Sequence, residues 1–225
     1  MPSFNIVKKN DLNSSFKVSK VMADFDVGAE HVREHFIGKI DYPDKWQISL
    51  IVGGSGTGKS TIAKELYNEA LEDDFVYPDK PVIDCIPCHN VEELQKMFYA
   101  VGFGSVPSWL KPYHVLSNGE KMRVDLARRI LTKEFIVFDE FTSVVDRQVA
   151  KIICIALKKA LKRYPDKKFI AVGCHHDVIE FLQPDWCFNT DDMQQVFRFP
   201  HEANKNSQSE DAQLPSGENL DVIII

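Results

Sequence analysis

Residues 46–71 read WQISLIVGGSGTGKSTIAKELYNEAL, and this stretch decides the fold. Trp46 to Val52 is a run rich in β-branched and aromatic residues that ends in glycines, the pattern of a strand. From Ser60 to Leu71, the residues Ile62, Ala63, Leu66, Tyr67 and Ala70 fall on one helical face. Between strand and helix, Gly53, Gly54, Ser55, Gly56, Thr57, Gly58, Lys59 and Ser60 match G-x-x-x-x-G-K-[ST]. Glycines let backbone N–H groups converge on phosphate oxygens, and the helix N-terminus adds partial positive charge. Lys59 is expected to reach the β and γ phosphates of a nucleotide and Ser60 to ligate Mg²⁺, with Thr61 in the same binding set. A strand entering such a loop and leaving as a helix opens a nucleotide-binding α/β fold.

Working outward, the loose alternation of Phe16 to Phe25 (FKVSKVMADF) predicts a strand upstream, and Val82 to Cys85, bounded by proline, predicts another downstream. A helix is expected over Val91 to Val101, followed by a loop rich in Gly, Pro and Ser through Tyr113. Another helix should start after Ser117, a strand cover Phe135 to Phe138, and a long helix run from Arg147 to about Tyr164. A strand over Lys168 to Val172 and a short helix over Val178 to Leu182 follow. Trp186 to Thr190 and Gln194 to Phe199 flank Asp191 and Asp192 as a closing hairpin. Strands alternating with helices imply a mainly parallel sheet covered on both faces.

The strand Phe135–Phe138 runs straight into Asp139 and Glu140. At the carboxyl end of a buried strand, the first acid is suited to hold a hydrated Mg²⁺ and the second to polarise the attacking water. Just upstream, Leu116, Ser117, Asn118, Gly119 and Glu120 precede KMRVDLARRIL, and the acid pair is followed by Phe141, Thr142, Ser143, Val144, Val145 and Asp146. His176 lies in AVGCHHDVI, directly after an apolar strand. In these motifs the sequence resembles the ABC ATPases, whose LSGGQ-type signature opens a helix and whose acid pair is followed by a loop ending in Asp. The resemblance spans about residues 16 to 200, with four motifs in the family's order.

The resemblance implies a P-loop NTPase of ABC-ATPase type, α/β, with a mainly parallel core sheet, a small antiparallel β portion and a reduced helical subdomain. It implies hydrolysis of Mg-ATP by a head-to-tail homodimer. Ser117 and Gly119 are assigned to the γ-phosphate of ATP held by the opposite subunit, and Asp146 to a place beside that subunit's glycine loop. Glu140, His176 and Lys59 become the catalytic set. His176 would hydrogen-bond the γ-phosphate and position the water; His175 is the alternative, and Asp177 following His176 makes the latter the better match. More closely, PSWLKPYHVLSNGEKMRVDLAR, FDEFTSVVDR and CHHDVIEFLQPDW resemble a compact group of stand-alone ABC-type ATPases, some related members of which are fused to a predicted acetyltransferase domain. In 225 residues no such domain is expected beside the ATP-binding one.

The sequence also departs from that family. Leu116 follows Lys59 by only 57 residues, much less than in transporter subunits. No glutamine takes the place that normally follows the second core strand, since Gln95 falls within a predicted helix. Asn118 and Glu120 stand where glycine and glutamine are usual. Phe25 and Phe36 are the candidates for the ring that stacks on adenine.

The remainder of the chain bounds these readings. A net charge of −6, with 44% apolar and 27% charged residues, is ordinary for a soluble globular domain and excludes both a general basic nucleic-acid coat and a strongly acidic disordered chain. There is no apolar run long enough to span a bilayer, and MPSFNIVKKNDLNSS lacks a secretory pattern, so a cytoplasmic location is expected. Five cysteines are then expected as buried free thiols. The C-x-x-C-H of Cys85 to His89 does not suit haem in such a chain, while a zinc site completed by Cys174 and His175 is the alternative. The helix with Lys151, Lys158, Lys159, Lys162 and Arg163, with Lys167 and Lys168 beyond it, is read as a solvated face, with nucleic acid the alternative partner. Residues 1–200 are expected to form the ATP-binding domain and 201–225 a disordered acidic tail. Its apolar end, Leu220 to Ile225, reads as an unstructured terminus or as a docking strand for a partner or for the domain's own sheet edge.

Overall fold

The structure is a computed structural model that describes residues 2–9, 15–26, 33–71, 75–88 and 90–197. The expected acidic tail, its apolar end and His89 lie outside the described residues.

A five-stranded sheet carries the strands β3 (Ile48–Val52), β4 (Phe135–Phe138), β5 (Lys168–Gly173), β6 (Trp186–Asn189) and β7 (Gln194–Phe197) in the order β4-β5-β3-β6-β7. The first four are parallel, and β7 returns antiparallel to β6 as the hairpin predicted from Asp191 and Asp192. Side chains alternate across the sheet with the strand period of two. Leu50, Ile136, Phe169 and Ala171 face one apolar layer, while Ile51, Val137, Ile170 and Val172 face the other. The first layer is completed by α4 (Val91–Ala100), α6 (Asn118–Thr132) and α7 (Arg147–Leu161). The second is completed by α2 (Lys59–Leu71) and a separate antiparallel pair, β1 (Ser3–Lys9) and β2 (Arg33–Lys39). This pair is the small antiparallel portion, and it uses an amino-terminal segment that carried no strand expectation.

Two predicted strands are helical instead. Phe16 to Phe25 contains α1 (Phe16–Asp24), with the Ser15 hydroxyl accepting from the Val18 N–H at 3.3 Å as its N-cap. Its apolar residues also satisfy a helical spacing, and none of its residues is buried: Phe16 is 83% exposed. With no sheet face to fill, the alternation had no tertiary contact to favour a strand, and the local cap decides the state. Val82 to Cys85 is a single helical turn, α3 (Val82–Cys85), following Pro81, with the Val82 N–H donating to Lys111 O at 3.0 Å. Among the described residues no sheet strand lies between α2 and α6, so the missing glutamine has no strand there to follow. The long loop before Ser117 holds another short turn, α5 (Val106–Trp109). The remaining short helix, α8 (Val178–Leu182), lies as predicted, and α7 ends a few residues earlier than expected.

No helix among the described residues is long and apolar enough to cross a membrane. The free thiols of Cys154 and Cys187 are pushed up to about 12 by burial, which makes them inert packing groups.

Phe4 tests whether the β1–β2 pair belongs to the core: its ring covers Gly38 and meets Phe188 edge-on at 5.9 Å. Phe4→Ala is expected to cost about 3–5 kcal/mol by thermal or urea unfolding. Val7→Ala on the exposed side of the same strand should stay within about 0.5 kcal/mol.

Candidate functional site

The parallel strands β3, β4 and β5 all deliver their carboxyl ends to one edge of the sheet, where loops in an open α/β fold gather a ligand. The loop 53–58 leaves β3 and turns into α2. Gly56 and Gly58 adopt φ of +83° and +90°, a backbone region that side chains rarely enter. At Gly58 a side chain would also strike the Phe36 ring at 2.6 Å. Phe36 is thus buried beneath the loop and unavailable to a base, while Phe25 remains exposed after α1.

Lys59 curls back over this loop. It is 8% exposed, and its Nζ donates to Gly54 O at 2.5 Å. Among the described residues it has no carboxylate partner, so a buried ammonium faces the loop with only a carbonyl to offset it. Such a group seeks an anion. Ser60 and Thr61 begin an open groove of about 530 Å³ that runs along α2 past Lys64 and Glu65 to Asn68. The glycine loop is latched from the β6–β7 turn: Thr57 Oγ1 lies 2.6 Å from Thr190 Oγ1, and the Gly54 N–H donates to Asp191 Oδ1 at 2.7 Å. The other oxygen of Asp191 is 3.4 Å from His176 Nε2. Asp191 therefore links the loop to the histidine that follows β5, a link the sequence did not reveal.

Asp139 and Glu140 follow β4 on the same edge. Glu140 and Thr142 have φ of +53° and +65°, unusual for residues with side chains and worth about 1–3 kcal/mol of strain each. The turn is held by the Phe141 N–H donating to Val172 O at 2.8 Å, and Gly173 gives the room for that approach. Glu140 is thereby fixed against the strand that leads to His176.

Ser117 caps α6. Its hydroxyl accepts from the Glu120 N–H at 3.3 Å, and its own N–H donates to Glu120 Oε2 at 2.9 Å, forming a reciprocal capping box. The glutamate that replaces the usual glutamine thus organises the helix terminus bearing Ser117 and Gly119. Asn118 and Lys121 face Asp139, Glu140 and Val144 across a cavity of about 230 Å³, so the signature and the acid pair are neighbours within the chain. One turn beyond, the Arg123 guanidinium lies 3.4 Å from where a Gly119 side chain would begin. Burial lowers the Arg123 pKa, while Glu120 and Asp146 pull it upward. Asp146 caps α7, its Oδ1 accepting from the N–H groups of Gln148 and Val149 at 3.0 and 2.9 Å.

The zinc alternative does not assemble. The thiol of Cys85 points to the carbonyls of Pro78, Lys80 and Pro81, and that of Cys88 to Asn90 O. Among the described residues no three His, Cys, Asp or Glu side chains gather to hold a metal.

The same arrangement of sheet, loop and helices occurs in solved structures. The dimeric post-hydrolysis structure of the ATP-binding cassette MJ0796, bound to ADP and Pi, matches with a TM-score of 0.56 at 16% identity, covering 83% of this chain and 92% of that one. The fold is that of an ATP-binding cassette. The dimeric structure of MJ0796, a bacterial ABC transporter cassette, matches at 0.50 with 18% identity over 69% and 87% of the two chains. A protein described as an ABC transporter of metal-chelate type, in an inward-facing conformation, matches at 0.53 with 15% identity over 73% and 76%. No protein-family model matches the sequence, and no curated protein sequence matches it.

The capping box at the start of α6 has a pH signature. Hydrogen bonds from the Ser108 hydroxyl and then the Ser117 N–H hold the Glu120 carboxyl below its ordinary value of 4.5. Its contribution is therefore fully present above that ordinary value and fades as pH falls through the lower folded-state value. Glu120→Ala should lower the melting temperature at about pH 7, and the gap to the parent should narrow as the pH falls below that ordinary value. A gap unchanged across that range would remove the capping role.

Proposed function

We propose that this chain is an ABC-type ATPase that binds and hydrolyses Mg-ATP at the interface of a head-to-tail homodimer, as an ATP-driven switch on an unidentified protein partner. The observation that carries the reading is the buried Lys59 side chain, held by a backbone carbonyl inside a glycine loop and, among the described residues, without a carboxylate partner. The donor set fits a nucleoside triphosphate: the N–H groups of Gly56 to Thr61, a helix N-terminus, and the Lys59 ammonium. Ser60 and Asp139 are the residues that would hold Mg²⁺, which would supply neutralisation of phosphate charge.

In this reading Glu140 accepts the proton of the attacking water as its oxygen bonds to the γ-phosphorus. The bond to the β–γ bridging oxygen breaks, leaving ADP and inorganic phosphate. Lys59 stabilises the charge that moves onto the β-phosphate, and His176 orients the water and the γ-phosphate. Ser117 and Gly119, at the amino end of α6, complete the opposite subunit's site, and Asp146 lies beside that subunit's glycine loop. The dimeric state of the MJ0796 cassette supports this composite arrangement.

An ATPase clamp on nucleic acid would have to use the exposed cations of α7 and the residues just after it. Four of these are engaged within the fold: Lys151 lies over the Phe181 ring, Lys158 donates to Gln183 Oε1, Lys167 donates to Glu134 Oε1, and Lys168 lies over the Trp46 ring. The remaining surface, Lys159, Lys162 and Arg163, is smaller than the sequence suggests, so a protein partner is preferred. The energy subunit of a membrane transporter is the third reading, and the short span from α2 to α6 disfavours it.

Lys59→Ala is expected to abolish measurable ATP binding by calorimetry with Mg²⁺, through loss of the only buried cation in the loop. Glu140→Gln should bind ATP with near-parental affinity, lose turnover by about 10²-fold or more, and accumulate as a dimer in Mg-ATP by light scattering. Equal affinity in Lys59→Ala and the parent contradicts the site, and a monomeric Glu140→Gln protein contradicts the dimer.

A further inference from the structure

We propose that Arg147 and Asp177 form a positioning clamp that carries closure of the composite site from the loop ending at Asp146 to His176. The proposal rests on the ATPase reading above and adds two residues to its machinery. Each immediately follows a site residue in the chain: Arg147 comes after Asp146, and Asp177 after His176.

Each site residue is tied to a helix. The Asp146 carbonyl accepts from the Ala150 N–H at 2.9 Å, in the first turn of α7, and its carboxylate caps the same helix. The His176 carbonyl accepts from the Ile179 N–H at 3.0 Å, in the first turn of α8. Movement of either residue's backbone is therefore movement of its helix terminus. What joins the two termini is the fork between Arg147 and Asp177. Arg147 Nε donates to Asp177 Oδ2 at 2.8 Å, and Nη2 donates to Oδ1. Asp177 occupies the cap position of α8, yet it makes no side-chain cap; both its oxygens go to Arg147. Arg147 keeps the Asp177 carboxyl below the usual carboxylate range, so the pair stays ionic.

A two-point guanidinium–carboxylate fork fixes orientation as well as separation. Further along the same α7–α8 interface, Lys151 sits 5.3 Å above the Phe181 ring and Lys158 reaches Gln183. The two helices are thus joined along one stripe of α7, with the clamp at the end nearest the site. Its side chains are 37% and 40% exposed, so it adds little to global stability. Its effect on placement is different in scale: displacing a catalytic group by about 1 Å can cost about 10²-fold in rate. In the proposed dimer, Asp146 meets the opposite subunit while His176 serves the nucleotide of its own, so the clamp makes water positioning depend on the partner's arrival.

The test uses the full chain with Arg147→Ala, Asp177→Ala, both together, and the exchanged pair Arg147→Asp with Asp177→Arg. Melting temperature, ATP affinity and Mg-ATP turnover are measured for each. Near-parental melting and affinity are expected, with kcat down about 10²-fold in either single variant, no further loss in the double Ala protein, and partial recovery in the exchanged pair. Arg147→Lys, which keeps the charge and loses the fork, should fall between. Parental turnover in both single variants, or losses that multiply in the double variant, overturns the clamp while leaving the ATPase reading intact. Parallel losses of melting temperature and ATP affinity make the pair a fold contact and also overturn it. A parent that does not hydrolyse ATP overturns both.

Discussion

A lysine buried with, among the described residues, no carboxylate partner is the constraint around which this fold is arranged. Lys59 can be held there because the loop before it exposes a carbonyl at Gly54, and that loop can close only because Gly56 and Gly58 accept positive φ. The loop in turn rests on Phe36 from below and is latched from the side by Thr190 and Asp191. Strand β3 sits between β5 and β6 in the sheet, so the same loop is adjacent to the ends of the neighbouring strands. Removing the need for an anion at Lys59 would leave this concentration of glycines, strained residues and latches without a purpose.

Local patterns made the central part of this architecture legible. The strand Trp46 to Val52 and the helix after it, the strand ending at Asp139 and Glu140, and the cap at Ser117 each carry their instructions within a few residues. Their periodicity agrees with their tertiary role, as the two-sided burial of β3 and β5 shows. Phe16 to Phe25 failed because a short apolar alternation fits either period, and a helix with no buried residue receives no help from packing. Val82 to Cys85 failed because the proline that seemed to bound a strand instead begins a helical turn supported by Lys111 O.

The site shows the same division. Its glycine loop, acid pair, signature and histidine are contiguous words in the sequence. Asp191 reaches Gly54 across a separation of 137 residues, and Arg147 reaches Asp177 across 30, so neither pairing has a local signature. Glu120 stands where glutamine is usual, and its carboxylate closes the cap by accepting from the Ser117 N–H. Positive φ at Glu140 is likewise a property of how the loop after β4 meets the end of β5, not of the Asp-Glu pair itself.

The central claim is that one subunit's glycine loop works with the other subunit's signature helix. The most direct measurement is complementation between two inactive proteins. Ser117→Arg places a bulky cation at the start of α6 and leaves its own glycine loop intact; Lys59→Ala does the reverse. Each alone should lack Mg-ATP turnover, while an equimolar mixture should recover part of the parental rate, because a mixed dimer contains one composite site with both halves intact. Full turnover by Ser117→Arg on its own would contradict the account, since hydrolysis would then proceed without the signature of a second subunit.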